Sequence, residues 1–204
     1  MGHNKSEWLA SGLNPLRAVE PDDSWEYPAL TQHYMRYSMA LQFIKNNEVL
    51  DASCGSCYGT SLLSMRATHV MGVNLDANQI DFGKEWFKFY CPVELKQMDL
   101  CKDFPDKKFD VVVSLETVEH LADYKPFLEK IKASLRNEKG IFVFSVPRTV
   151  ITCYHLQAIP DIEHAKSMFE PYFKNIKWYY QTGECISDVC IGYPAYWIGV
   201  YKNG

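Results

Sequence analysis

Apolar residues recur along this chain with two periods, one typical of helices and one typical of strands. A stripe spaced by three and four residues runs from Leu30 to Ile44 and predicts an amphipathic helix. Similar stripes predict helices over 58–66, 77–90, 121–135 and 162–172, with Asp76 as a helix cap. The apolar runs between them predict strands over 48–52, 69–75, 93–98, 109–115, 140–146, 176–181 and 195–201.

Strands and helices alternate in this order until two strands follow one another at the end, which predicts an α/β fold. We expect a doubly wound, seven-stranded, mostly parallel sheet between helix layers, with an antiparallel last strand. The nearly unbroken apolar run 109–115 is typical of a central parallel strand buried on both faces. Because ligands of such sheets bind at the carboxyl ends of the strands, the residues that follow each strand form the candidate site.

The length of 204 residues is that of one domain. We expect an irregular, proline-containing arm over 1–29 and a single domain over 30–204. The net charge of −4 and the lack of a long basic run disfavour a nucleic-acid partner. No apolar stretch has the length of a membrane span, and the start lacks the apolar region of a secretory signal. No membrane partner and a cytoplasmic location are therefore expected, and the oligomeric state is open.

The seven cysteines are an odd number, which together with the absence of a secretory signal predicts reduced thiols. Cys54 and Cys57 form a CxxC motif. A structural zinc site would need a second such pair, and Cys185 and Cys190 are spaced too widely to supply it. No metal is expected.

Small residues follow the first predicted strand, in the stretch 51–60 with the sequence DASCGSCYGT. Such a loop between a strand and a helix lets backbone amides approach a ligand closely. An ordinary strand-to-helix turn accounts for it about as well. The loop alone leaves both interpretations open.

This loop resembles the first motif of class I S-adenosylmethionine-dependent methyltransferases, in which a strand ending in Asp precedes a loop of the form GCGxGxG. The run 109–121, FDVVVSLETVEHL, resembles the fourth-strand motif of the family and is the most specific part. The stretch 145–147 stands where the family ends its fifth strand. The lead-in 25–30, WEYPAL, and the helix positions after it resemble a bacterial subgroup, many members of which belong to sugar and cell-surface pathways.

The resemblance implies S-adenosylmethionine as the cofactor and a partner for each part of it. Asp51 and the backbone around Ser53 and Gly55 would hold the amino-acid end, and the Leu115 carbonyl would accept from its ammonium group. The ribose would be held by Asn74 and its neighbour Leu75, the adenine by Asp99 and the Leu100 amide, and the methionine tail by Arg36 and Tyr37. For the last two residues, packing and surface pairing is an equal alternative.

Three residues depart from the family pattern: Ser53 and Cys57 replace the first and third glycines, and Asn74 replaces the usual acid after the second strand. A side chain at a position that needs positive φ costs about 1 kcal/mol or more, and it can also occupy cofactor space. A neutral acceptor lowers the affinity for the ribose roughly tenfold. Asp76 would point to the same side as Asn74 and can partly substitute, although its capping role competes.

Methyl transfer requires alignment of nucleophile, methyl carbon and sulfur, and an alcohol acceptor also needs a base. His120, after the fourth strand, is the candidate base. Arg148 and His155 lie on a predicted lid over 148–160 and are candidate contacts of the acceptor. A structural role accounts for the two histidines at least as well, and Arg148 is equally interpreted as a surface charge.

Two functional hypotheses follow. In the first, the protein transfers a methyl group from S-adenosylmethionine to a small-molecule acceptor, with a sugar or a phosphorylated metabolite as candidates. In the second, the altered loop marks a catalytically altered or inactive binding or regulatory module with weak or changed nucleotide binding.

Overall fold

The computed structural model describes residues 26–149 and 155–203. Its helices are α1 Glu26–Leu41, α2 Tyr58–Ser64, α3 Ala77–Trp86, α4 Lys125–Ser134 and α5 Ile162–Phe169, with short 3-10 turns at Val118–His120 and Asn137–Lys139. Its strands are β1 Glu48–Ala52, β2 His69–Asn74, β3 Val93–Gln97, β4 Val111–Leu115, β5 Ile141–Pro147, β6 Lys177–Thr182, β7 Cys185–Ser187 and β8 Tyr196–Lys202.

The strands form one sheet in the order β3-β2-β1-β4-β5-β8-β6-β7. Strands β1 to β5 pair in parallel, while β8 pairs antiparallel with both β5 and β6. The predicted α/β class, the mostly parallel sheet and the antiparallel final strand are confirmed. The predicted count of seven strands is wrong by one, because β7 forms a hairpin with β6 and is too short to show an alternating pattern.

The core consists of two apolar layers, one on each face of the sheet. Successive residues of a strand point to opposite faces, so Val111 and Val113 pack with α1 and α2, whereas Val112 packs with α4 and α5. All five residues of β4 are buried, as the unbroken apolar run predicts for a central parallel strand. The helices thus cover both faces and leave the strand ends to form a site.

Three helix boundaries differ from the sequence prediction by four residues. Helix α1 is already helical at Glu26, so it extends across the predicted boundary at residue 30. Helix α3 ends at Trp86, and beyond it the backbone amide of Tyr90 donates to Ser64 Oγ of α2 at 3.0 Å. Helix α4 starts four residues later than predicted, with Pro126 in its first turn, a position where a missing amide hydrogen costs little. The predicted arm falls largely on residues 1–25, which lie outside the described residues.

In the described part of the chain, no helix is both long enough and apolar enough to cross a membrane.

Candidate functional site

The candidate site lies at the carboxyl edge of the parallel strands, where the strand order reverses between β1 and β4. Asp51 pairs in register with Gly72 of β2 and Val113 of β4, and Asn74 ends the next strand beside Gln97 of β3. Neighbouring parallel strands therefore bring their polar end residues to one edge of the sheet. This is the position at which open α/β sheets bind ligands.

Asp51 is a fully buried carboxylate held by two hydroxyl groups. It accepts hydrogen bonds from Tyr37 at 3.1 Å and from Thr60 at 2.6 Å. The Tyr37 ring packs directly against Gly59, where any Cβ would lie 1.9 Å from the ring. This close approach lets the Tyr37 hydroxyl group contact Asp51. Burial raises the pKa of Asp51 to about 7, although both hydroxyl groups counteract this shift. No described cationic side chain forms an ion pair with Asp51, so an ammonium group brought by a ligand would stabilise its charged form.

The loop after β1 adopts left-handed backbone conformations at three alternate residues. Ser53 and Cys57 both have φ of 69°, and Gly55 between them has φ of 53°. Both departures from the glycine pattern therefore stand where glycine is favoured, and each costs about 1 kcal/mol or more in backbone strain. The loop nevertheless keeps the tight path that the resemblance predicts.

The side chain of Cys57 packs against α3. It is fully buried in a small cluster with Cys54 and Ile80, and it lies against Gly83 of α3. Its sulfur is 3.7 Å from that of Cys54, and both thiols are free. The Cys57 side chain was expected to be able to occupy cofactor space. It instead fills space that Gly83 leaves open on the facing helix.

Asn74 and Gln79 connect the end of β2 to the start of α3. Asn74 Nδ2 donates to Gln79 Oε1 at 3.0 Å, and the same oxygen lies 3.5 Å from the Cβ position of Gly55. Asp76 caps α3 by accepting from the Asn78 amide at 2.9 Å, as the sequence predicts. Leu75 is 65% exposed, at the surface of this edge. Asp76 is therefore engaged in capping, and Asn74 is the polar group at the predicted ribose position.

Asp99 follows β3 and is held by its own turn. It accepts from the Cys101 amide at 3.0 Å and pairs with Lys102 at 2.9 Å. The hydrogen bond from Lys102 is the main reason that the pKa of Asp99 is lowered. Leu100 is buried in the core beside it. The predicted adenine contacts thus lie at the end of β3, one strand beyond Asn74.

Arg36 is buried in a polar network that joins α1 to three strands. Its guanidinium lies 3.0 Å from the Glu116 carboxylate after β4 and donates to Gln181 of β6 at 2.6 Å. It also lies 3.9 Å from the centroid of the Tyr196 ring of β8. Arg36 is 1% exposed, so in this structure the charge is committed to protein partners. The predicted role of Arg36 and Tyr37 over the methionine tail stays a prediction.

Two carboxylates follow Leu115, the buried last residue of β4. Glu116 has φ of 56° and also accepts from Ser145 at 3.3 Å. Burial raises its pKa, while Arg36 opposes the shift. Glu119 is completely buried, and neither of its carboxyl oxygens has a hydrogen-bond partner among the described residues. Burial, reinforced by the charge of Glu116, raises the pKa of Glu119 well above its ordinary value.

The two candidate histidines lie together beside these carboxylates. The rings of His120 and His155 are 5.1 Å apart, and His120 Nε2 is 3.9 Å from Glu119 Oε1. His155 shares a hydrogen bond of 2.6 Å with Thr149. Burial and the neighbouring His120 lower the pKa of His155.

The third candidate of this region, Arg148, is exposed, and its guanidinium lies 3.9 Å from the centre of the Tyr193 ring. Of the predicted lid over 148–160, residues 150–154 lie outside the described residues. The part that follows is tethered to the site, because the amides of Leu156 and Gln157 donate to the Glu119 carbonyl at 2.6 and 3.1 Å. The structure thus brings His120 and His155 together and places Arg148 at the surface.

Sequence reasoning missed the roles of Glu116, Glu119, Gln181 and Tyr196 in this region. A signal for the first two was present, since two acids three residues apart follow directly after an apolar strand. The other two belong to late strands and reach the site only through the three-dimensional arrangement of the sheet. Across the described ranges, no group of three or more metal-binding side chains is arranged to hold a metal ion.

Comparisons with known proteins agree with this geometry. A family model described as a methyltransferase domain matches residues 50–144. A probable S-adenosylmethionine-dependent methyltransferase of Mycobacterium tuberculosis (strain CDC 1551 / Oshkosh) is 29% identical over 131 residues, which cover 64% of this chain and 46% of that protein. Phosphoethanolamine N-methyltransferase 1 of Arabidopsis thaliana is 37% identical over 84 residues, 40% of this chain and 17% of that protein. The chain thus spans about half or less of the length of these relatives.

Among solved structures, the N-methyltransferase NodS of Bradyrhizobium japonicum WM9, in complex with S-adenosyl-L-homocysteine, superposes with a TM-score of 0.68. The superposition covers 97% of both chains at 14% identity, so it supports the fold alone. The fold of this chain is that of the solved methyltransferase. Over its central part the chain is thus similar to S-adenosylmethionine-dependent methyltransferases, which supports the predicted family and S-adenosylmethionine as the cofactor.

Proposed function

We propose that this protein transfers a methyl group from S-adenosylmethionine to a small-molecule acceptor. One observation carries the proposal: Asp51, a buried carboxylate without a described cationic partner, lies beside a loop with left-handed backbone at the switch point of the sheet. The ammonium group of an amino acid would supply the positive charge that such a carboxylate lacks. The similarity to a methyltransferase domain over residues 50–144 and to a probable S-adenosylmethionine-dependent methyltransferase supports the same cofactor.

In this proposal each strand end contacts one part of the cofactor. Asp51, Ser53 and Gly55 hold the amino-acid end, with the Leu115 carbonyl accepting from the ammonium group. Asn74 and Leu75 contact the ribose, whereas Asp99 and the Leu100 amide contact the adenine. The order of the strands supports this assignment, because β1, β2 and β3 are successive neighbours and the cofactor would extend across their ends.

Binding of the cofactor is tested by calorimetric titration of the full chain with S-adenosylmethionine and S-adenosylhomocysteine. We expect dissociation constants in the micromolar range or weaker, because Asn74 is a neutral ribose acceptor. Asp99→Ala should weaken binding, since the adenine amino group loses an acceptor. Undetectable binding by the unmodified protein at millimolar ligand would contradict the proposal.

The acceptor is proposed as a small molecule, with a sugar or a phosphorylated metabolite as the first candidates. Phosphoethanolamine is a suitable phosphorylated probe, because a relative that matches 40% of this chain is named for methylating it. The exposed Arg148, which precedes the His155 partner Thr149 in the chain, is the proposed contact for an anionic group, and His155 is a second proposed acceptor contact. Formation of S-adenosylhomocysteine with each probe is the measurement.

A binding or regulatory module is the second candidate function. Three departures from the family pattern favour it. Ser53 and Cys57 strain the loop, and Asn74 removes the anion at the predicted ribose position. Restoring Gly, Gly and Asp at these positions separates the two functions. If the chain is an enzyme, the triple variant binds cofactor more tightly and its activity holds or rises. If the site serves another ligand, the variant gains cofactor affinity and loses its biological activity.

A further inference from the structure

Glu119 is a buried carboxyl group that the fold leaves without a described hydrogen-bond partner. Its residue exposure is 0%, and both carboxyl oxygens are unsatisfied among the described residues. An unsatisfied buried carboxyl group costs several kcal/mol when charged, so proteins rarely retain one without a use for it. Its own backbone carbonyl, by contrast, accepts two hydrogen bonds from the segment at 156–157.

None of the described side chains around Glu119 supplies the missing hydrogen-bond partner. Arg36 acts on the pKa of Glu119 as a nearby cation, but it is already bound to Glu116 and Gln181. His120 Nε2 is 3.9 Å away, which is too long for a hydrogen bond. Among the described residues, the titratable and charged groups near Glu119 are Arg36, Glu116, His120 and Tyr196. His155 lies beside His120.

We propose that Glu119 is the catalytic base of this site and takes the proton of the hydroxyl or amino group that is methylated. The inference rests on the proposed methyltransferase function and deepens it by naming the group that contacts the acceptor. Glu119 follows β4 by four residues, at the same edge of the sheet as the proposed cofactor contacts. The acceptor would provide the hydrogen bond that the carboxyl group lacks.

The chemical step balances without a further reactant. The lone pair of the acceptor oxygen or nitrogen forms a bond to the methyl carbon, and the carbon–sulfur bond breaks with its electron pair going to sulfur. The proton of the acceptor passes to the Glu119 carboxylate. The products are the methylated acceptor, S-adenosylhomocysteine and a protonated Glu119. A carboxylate that burial makes more basic is suited to this transfer.

The first test needs no knowledge of the acceptor. A carboxylate beside the reacting nucleophile also lies near the sulfonium of S-adenosylmethionine, a charge that S-adenosylhomocysteine lacks. Glu119→Gln should therefore weaken binding of S-adenosylmethionine about fivefold and leave that of S-adenosylhomocysteine unchanged. The difference should grow as pH rises, because a larger fraction of the carboxyl group is then ionised. Calorimetry on the full chain measures both ligands.

Two further variants control this test. Glu119→Asp keeps the charge and should keep the preference for S-adenosylmethionine. Glu163→Gln removes a carboxylate from the exposed start of α5, where its side chain is 76% exposed, and should change neither affinity. Thermal unfolding of all three variants establishes that the fold is retained.

The second test is the rate of methyl transfer to phosphoethanolamine or to another probe that the unmodified protein accepts. The rate should rise with pH through the ionisation of Glu119, and Glu119→Gln should lose this rise together with at least about a hundredfold in kcat. If the unmodified protein binds neither cofactor form, the proposed function fails. If it binds both, and Glu119→Gln changes neither the preference nor the rate, the inference about Glu119 alone is overturned. Loss of transfer on chelation, restored by Mg²⁺, would overturn it too by making Glu119 a metal ligand.

Discussion

Cys57 and Gly83 fit together as a large and a small residue across the interface between the loop after β1 and helix α3. A Cβ at Gly83 would lie 2.5 Å from both the Cβ and the Sγ of Cys57. The loop therefore carries a side chain where the family has glycine, and the facing helix carries glycine where a side chain would collide. Because Gly83 has no side chain, the helix leaves the space that the Cys57 side chain needs, so the loop backbone keeps its path.

This fit predicts an interaction between the two positions in a double-mutant cycle. Gly83→Ala alone should destabilise the fold by about 2 kcal/mol, because the new methyl group overpacks the interface. Cys57→Gly alone should change stability by less than about 1 kcal/mol, since relief of the strained φ offsets the lost packing. In the Cys57→Gly background, Gly83→Ala should be tolerated, with an interaction energy above about 1 kcal/mol.

Urea unfolding of the four proteins measures this cycle. Lys84→Ala is the matched control, because it changes the next residue of the same helix at an exposed position. That substitution should cost less than about 0.5 kcal/mol in either background. Additive effects of Cys57→Gly and Gly83→Ala would show that the two residues do not share this space.

Asn74→Asp should tighten the binding of S-adenosylhomocysteine about tenfold, because a charged acceptor replaces a neutral one for the ribose hydroxyl groups. The variant loses the hydrogen bond that Asn74 donates to Gln79, so its thermal stability should fall slightly. Asn78→Asp adds the same charge on the exposed side of α3 and should leave the affinity unchanged. Equal gains in the two variants would mean that general electrostatics, and not a ribose contact, is responsible.

The sequence allowed the sheet to be predicted because its strands are short apolar runs between amphipathic helices. It allowed Asp51, Asn74 and Asp99 to be placed at one edge because each lies at or just after the carboxyl end of a parallel strand. The directions in which the side chains point could not be predicted from the sequence. Arg36, predicted as a cofactor contact, lies in a buried network whose partners come from β6 and β8, more than a hundred residues away. Likewise, the space at Gly83 that accommodates Cys57 depends on helix packing that no local pattern encodes.

Arg36→Met should destabilise the fold by about 3 kcal/mol, because it leaves the partly buried Glu116 without its cation. The loss should be largest at high pH. Burial already raises the pKa of Glu116, and without Arg36 that pKa rises further, so the folded state binds the proton more tightly than the unfolded state. Stability of the variant therefore falls as pH rises towards the folded pKa.

The double variant Arg36→Met, Glu116→Gln should recover most of the loss and should lack the pH dependence, as measured by urea unfolding across pH. Arg136→Met is the matched control, since Arg136 pairs with Asp110 at 2.9 Å on a surface where its side chain is 44% exposed. That pair should contribute less than about 1 kcal/mol. A similar loss of stability in Arg36→Met and Arg136→Met would show that burial does not determine how much the Arg36 pair contributes to the free energy of unfolding.

Asp51 should make the binding of S-adenosylhomocysteine depend on pH near neutrality. Burial raises its pKa to about 7, so below that pH the free protein carries mostly the protonated form. The ammonium group of the ligand favours the charged form, and binding must therefore release a proton from Asp51. Affinity should rise with pH up to about 7 and then level off.

Calorimetry in two buffers of different ionisation enthalpy measures the released proton directly. We expect close to one proton per ligand at about pH 6 and almost none at about pH 8. Asp51→Asn should bind more weakly and without this release, while Asp103→Asn, at an exposed position, should behave as the unmodified protein. Asp99 does not interfere, because its pKa is lowered and it is already ionised in this range. An affinity independent of pH in the unmodified protein would mean that the ammonium group does not meet Asp51.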